Sequence, residues 1–221
     1  MKKILFVAVM LLIAAAGFAQ EPTTTWPYLY PEFRQGTIYM NDGTTLVEQL
    51  NVHLRKGRLH FIDKKDIVRE AVVPDVKLVK IGEDTFAQVK GEMMKVVLAT
   101  EHGFVVVETL GDFASLQETG GAYGTSSTTS ATRRLSSLDT DAQINQNHML
   151  LLQNRSGGKM LPTVSKYFLS GPDFQVQASR REVESILPEG RQAEWKAWLK
   201  ANKVKWNKPE SLAAVVEFLC K

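Results

Sequence analysis

The sequence predicts an α+β protein: a small antiparallel β-barrel or sandwich-like domain, then a Ser/Thr/Gly-rich connector, then a small C-terminal helical unit. Three observations predict it. Short runs rich in branched residues recur between Gly36 and Leu110, each bounded by turn residues. A stretch of small and hydroxyl residues follows between Gly120 and Thr132. Beyond Ser179 the apolar residues adopt helical spacing, with capping and stop signals.

The chain opens with Lys2 and Lys3, an unbroken apolar run from Ile4 to Ala16, and the small residues Gly17 and Ala19 around Phe18. That is the order of a cleavable export signal. The run is shorter than the roughly 20 residues a membrane-spanning helix needs, so no permanent membrane span is expected. Cleavage after Ala19 makes residues 1–19 the signal, 20–118 the β domain, 119–165 a flexible connector, and 166–221 a C-terminal strand plus short helices. The expected location is therefore periplasmic or extracellular.

The expected strands are Thr37 to Met40, Thr45 to Leu54, Arg58 to Asp63, Val76 to Ile81, Thr85 to Val89, Lys95 to Ala99 and Phe104 to Leu110. Asn41-Asp42-Gly43, Lys56-Gly57, Gly82-Glu83-Asp84 and His102-Gly103 separate several of them, and close-spaced strands of this kind build an antiparallel barrel or sandwich. Two hairpins have a testable register. A Lys56-Gly57 loop puts Val52, Leu54, Leu59 and Phe61 on one face and His53, Arg55, Arg58 and His60 on the other. A Thr100–Gly103 loop sets Val97 opposite Val106, Val96 opposite Val107, and Lys95 opposite Glu108, an opposite-charge pair.

The connector lacks the apolar surface to offset the entropy of ordering. Tyr167, Phe168 and Leu169 predict one more strand. Ser179 with Glu182 fits a capping box opening a helix to Leu187, which Pro188 stops. A second helix is expected from Arg191 to Asn202. A third starts at Pro209 and buries Leu212, Val215, Val216 and Leu219.

The formal charge is +3, and loss of Lys2 and Lys3 leaves +1, too weak a field to recruit nucleic acid. Cys220 is the single cysteine, so no disulfide forms within the chain, and it is read as a small apolar residue of the last helix.

Candidate chemistry fails motif by motif. His53 and His60 are cross-strand neighbours in the register above, but two ligands do not make a zinc site, and the pair is read as partly exposed on the outer face of the hairpin. Asp139-Thr140-Asp141 is followed by Gln143, Ile144 and Leu150 where an EF-hand needs a ligand, a glycine and a bidentate Glu. Gly157-Gly158-Lys159 has Gln153 and Met160 where a phosphate loop needs Gly and Ser or Thr. The Ser-rich run has no Gly-x-Ser-x-Gly elbow. Asp63 with Asp66, and Glu83 with Asp84, sit at turns, where acidic residues serve local hydrogen bonds.

The aromatic sets define the candidate binding surface: Trp26, Tyr28 and Tyr30, which alternate in an extended segment and either stack on a ligand or tie the N-terminus to the sheet, and Trp195 and Trp198, three apart on a helix. By default the last two form the helical core, and any exposed remainder marks a partner surface.

The succession Tyr30-Pro31-Glu32-Phe33, Gly36-Thr37-Ile38-Tyr39, Asn41-Asp42-Gly43, Leu50-Asn51-Val52, Leu59-His60-Phe61, Val79-Lys80-Ile81-Gly82 and Thr85-Phe86 resembles uncharacterised exported β-rich proteins of Bacteroidota with a short helical C-terminal tail. It extends through Gly121-Ala122-Tyr123-Gly124-Thr125 and Tyr167-Phe168-Leu169 to Asn202-Lys203-Val204-Lys205, and Val52 with His53 departs from the Tyr-Asn found there. The resemblance implies compartment and architecture and carries over no functional residues. The expected function is a non-enzymatic envelope or secreted scaffold or protein-interaction module with an envelope protein partner, no cofactor and no metal, and no oligomeric state is assigned. The alternative is a small-ligand or glycan binding module that uses the N-terminal aromatic segment. A hydrolase assembled from dispersed carboxylates is less favoured.

Overall fold

The computed structural model describes residues 26–71, 76–112, 147–153, 155 and 160–221. The expected export signal, the Gly120–Thr132 run and both failed loop motifs up to Asp141 and at Gly157–Lys159 lie outside the described residues.

The described chain is α+β. Its strands are β1 (Arg34–Met40), β2 (Thr45–His53), β3 (Arg58–Ile62), β4 (Val68–Glu70), β5 (Val76–Ile81), β6 (Asp84–Val89), β7 (Glu92–Ala99), β8 (Phe104–Gly111), β9 (Thr163–Ser170) and β10 (Gln175–Gln177). The helices are α1 (His148–Gln153), α2 (Arg180–Ile186), α3 (Gln192–Asn202) and α4 (Pro209–Leu219), with a 3₁₀ turn at Glu189–Arg191. All ten strands join one sheet in the order β10-β9-β8-β7-β6-β5-β1-β2-β3-β4, and every pairing is antiparallel.

The seven expected strands are present, with shifted ends. β7 starts three residues earlier than expected because Lys90 and Gly91 both take positive φ, 52° and 83°, and close a two-residue hairpin between Val89 and Glu92. Such a turn matches the twist of the flanking strands. β4 and β10 were too short to read from pattern.

Both tested registers need correction. In β2–β3, His53 pairs with Arg58, Val52 with Leu59 and Asn51 with His60, so the loop is Leu54–Gly57 and not Lys56-Gly57 alone. The slip is two residues, which preserves the faces because side chains alternate with period two. In β7–β8, Ala99 pairs with Phe104 and Leu98 with Val105 as expected, but the register shifts between Leu98 and Val96. A bulge at Val97 then sets Lys95 opposite Val107 instead of Glu108.

The sheet curls. Toward Glu92 and Gly111 the β7–β8 ladder ends and the tip of the β2–β3 hairpin enters, with Met93 N–H donating to Gly57 O (2.6 Å) and Gly111 N–H donating to Leu54 O (2.8 Å). Alternation divides the sheet into two faces. Tyr30, Ile38, Leu50, Val52, Leu59, Phe86 and Met93 pack together on one side, where Val105 and Leu169 also meet the helices. Their neighbours Ala87, Met94, Val106 and Phe168 pack on the other.

Ser179 caps α2 by accepting from the Glu182 N–H, and α3 ends at Lys203 with φ 44°. In α4 the buried stripe is Leu212, Val215, Val216 and Phe218; Leu219, expected there, is only half-buried. Val215 and Val216 join Trp195, Val105 and Leu169, so the helical unit rests directly on β8 and β9. Within the expected connector, Asn147 bridges Ile67, α1 follows, and β9 begins at Thr163.

Candidate functional site

The N-terminal aromatic segment lies inside. Leu29 N–H donates to Val52 O (2.9 Å) and Leu54 N–H to Pro27 O (2.8 Å), which lays the segment along β2. Asn51, fully buried, stitches it down: its amide donates to Tyr30 O and Glu32 O, and its Oδ1 accepts from Tyr30 N–H. Sequence reasoning missed this asparagine; its signal was a polar amide beside Leu50 and Val52 in a strand. Trp26 is 1% exposed and Tyr28 0%, and their rings contact Phe33 and each other. Of the two readings of this segment, the geometry matches the one that ties it to the sheet: Trp26, Tyr28 and Tyr30 are buried against the protein, and Tyr30 also lines a pocket.

The expectation for the histidine pair is corrected. His53 and His60 are both buried, because the aromatic segment covers the face expected to be partly exposed. The imidazoles stack with centroids 5.1 Å apart, and the Tyr28 hydroxyl lies 2.9 Å from His60 Nδ1. Burial, reinforced by His53, pushes the His60 pKa down to about 3, so the ring is neutral. Glu70 approaches His60 Nε2 at 4.0 Å, and among the described residues no group of three or more His, Cys, Asp or Glu converges as a metal site.

Trp195 is fully buried and stacks on half-buried Trp198, with centroids 5.3 Å apart, and both touch Phe218. His102 Nδ1 meets Glu217 Oε2 at 2.8 Å, tying the β7–β8 turn to α4. Burial, then the charges of Glu217 and Asp173, raise the pKa of the nearby Cys220 thiol, the opposite of what a reactive cysteine needs. Asp63 serves its turn, accepting from Lys65 N–H, Ile67 N–H and Arg69.

Asp84 does more than close a turn. A pocket of ≈ 350 Å³ opens on the sheet face beside Tyr30. Leu29, Val52, Phe86, Met93, Val97 and Val107 supply its apolar wall. Its polar groups are Tyr30, Asp84, Lys95 and Thr109. Tyr30 Oη donates to Asp84 Oδ2 (2.6 Å), and Lys95 Nζ lies 2.6 Å from Asp84 Oδ1. The Arg34 guanidinium sits 4.2 Å above the Tyr30 ring. Partial burial works against the Asp84 carboxylate, but the bonds from Lys95 and Tyr30 and the charges of Lys95 and Arg34 outweigh it and hold its pKa below the usual range. The β6–β7 ladder sets Lys95 opposite Phe86 and near Asp84, and the Val97 bulge puts Val107, not Glu108, opposite it on β8.

The volume falls at the low end for small-molecule sites, and an apolar wall with a few convergent polar groups is their usual make-up. Comparisons with protein-family models, with curated proteins and with solved structures find no match. No helix among the described residues is long and apolar enough to cross a membrane.

Proposed function

We propose that this chain is an exported, non-enzymatic binding protein that holds a small, mostly apolar ligand on the sheet face beside Tyr30. The pocket carries this reading: six apolar side chains around ≈ 350 Å³, with one concentrated polar corner at Asp84 and Lys95. Export to the periplasm or beyond is supported by Lys2, Lys3 and the apolar run to Ala16, and by the resemblance to exported proteins of Bacteroidota. A non-enzymatic role is favoured by the state of Asp84, whose two oxygens are already engaged by Tyr30 and Lys95.

The scaffold or protein-interaction reading, with an envelope partner on the helical tail, has less behind it. The tail folds its tryptophans inward, and Ile186 is the large apolar side chain it leaves well exposed among the described residues.

The test is fluorescence titration of the purified protein with the neutral probe N-phenyl-1-naphthylamine. Val97 is 36% exposed at the pocket wall, so Val97→Trp fills the space from its rim without disturbing a fully buried residue. Saturable probe uptake that Val97→Trp reduces at least about tenfold, with an unchanged circular dichroism spectrum, is expected. Equal uptake by the variant, or none by the native chain, rejects the reading.

A further inference from the structure

The polar corner of the pocket is electrostatically lopsided. Asp84 is one negative charge shared by two cations, Lys95 at 2.6 Å and Arg34, which lies over the Tyr30 ring and acts on the same carboxylate. The Lys95 ammonium has three donors and gives one to Asp84, while 41% of its side chain stays exposed at the pocket. Arg34, exposed at the start of β1, presents a planar guanidinium fork suited to an anionic head. The apolar wall ends at this surplus positive charge.

We propose that the ligand is an amphiphile with a single anionic head, its apolar body against Phe86, Met93, Val52 and Val107 and its head on Lys95 and Arg34. The inference rests on the small-ligand reading and narrows it to one chemical class. A head bearing a full negative charge gains charge-assisted hydrogen bonds from Lys95 and shares the cations with Asp84. A neutral head gains less, and a cationic head meets two like charges. The volume suits one short chain better than the two chains of a bilayer lipid, which assigns the head to a free monomeric amphiphile and not to a membrane surface.

The probes are decanoate, decanol and decyltrimethylammonium, each below its micelle concentration and at fixed ionic strength, read as displacement of N-phenyl-1-naphthylamine. Decanoate is expected to compete at least about tenfold better than decanol, with the ammonium weakest. Lys95→Met, which keeps the stem and removes the charge, should bring decanoate down to the level of decanol while decanol is unaltered. Arg34→Gln, at an exposed position, should give a smaller loss in the same direction and serves if Lys95→Met fails to fold. Equal competition by decanoate and decanol in the native chain overturns the anionic head while leaving the pocket in place. A decanoate preference that survives both variants also overturns it, as does capture by phosphatidylglycerol vesicles with no displacement by decanoate. If none of the three compounds competes and Val97→Trp keeps the probe, the pocket reading itself falls.

Discussion

His60 is a neutral imidazole in a site built of protein rings, and its energetics follow from that. The unfolded chain protonates it near pH 6.5, whereas in the fold it stays neutral down to about 3. Between those values the unfolded state binds the extra proton, so the stability contributed by neutral His60 is complete above pH 6.5 and is lost as the pH falls toward 3. His60→Phe keeps a flat ring against His53 and Tyr28 but removes the titration. Urea midpoints at pH 7 and pH 4 should show the variant losing less stability over that interval than the native chain, by up to about 3 kcal/mol. Parallel losses would mean that His60 is not the acid-sensitive group. The nearness of His53 and His60 was legible from hairpin parity, since a slip of two residues left both on one face. Their burial was not, because it depends on which face Trp26, Tyr28 and Phe33 choose to cover, and hydrophobic alternation in β2 and β3 contains no information about a third segment. Asp84 and Lys95 were missed for a related reason: the pocket joins positions 30, 84 and 95, and only the lone charge within Met93-Met94-Lys95-Val96-Val97 hinted at it.

The bulge in β7 shows how one residue redirects an element. It sets Val107 opposite Lys95 on β8 in place of Glu108, whose cross-strand lysine is Lys166 on β9. Glu108 also acts on Glu92, and burial first, then the hydrogen bond and charge of Glu108, raise the Glu92 pKa to about 7 against an opposing pull from Arg58. A carboxyl raised in the fold stabilises it below the unfolded value of 4.5, and that contribution is lost as the pH rises through about 7. The pair adjoins the hairpin tip: Gly57, at φ 56°, has the Glu92 Cβ 3.2 Å from where its own Cβ would stand, and accepts from Met93 N–H. Two ionised carboxylates repel each other beside this contact. Glu92→Gln should therefore raise the melting temperature at pH 8, by an amount corresponding to about 1 kcal/mol after solvent screening, and leave it nearly unchanged at pH 5. A gain of equal size at both pH values would show that the substitution acts through packing and not through charge. Strand existence was legible here; the bulge was not, because Val96 and Val97 are equally suited to either register.

At the scale of the molecule, the sequence reads as two parts divided by residues 119–165, yet β9 and β10 extend the same sheet from the far side of that division. β8 pairs with β9 from Phe104–Ser170 to Gly111–Thr163, the full length of both strands. The helical unit then packs Trp195, Val215 and Val216 against Val105 and Leu169, so its core is completed by strand residues. Removing the helices would expose that apolar face, and removing the sheet would leave the helices without one. Such mutual dependence predicts a single cooperative transition, not two independent ones. The tryptophans allow a direct check, since Trp195, Trp198 and Trp206 all lie in the tail and Trp26 alone lies elsewhere. In Trp26→Phe, fluorescence reports the tail, and the backbone amide resonances of the strands, followed by NMR, report the sheet. Urea curves from the two signals should superimpose, and Trp195→Ala should shift both together by about 3–5 kcal/mol. A fluorescence transition at lower urea, with the strand signal intact, would establish the tail as a separate folding unit resting on the sheet, and the division drawn from composition would then describe the energetics better than the shared sheet does.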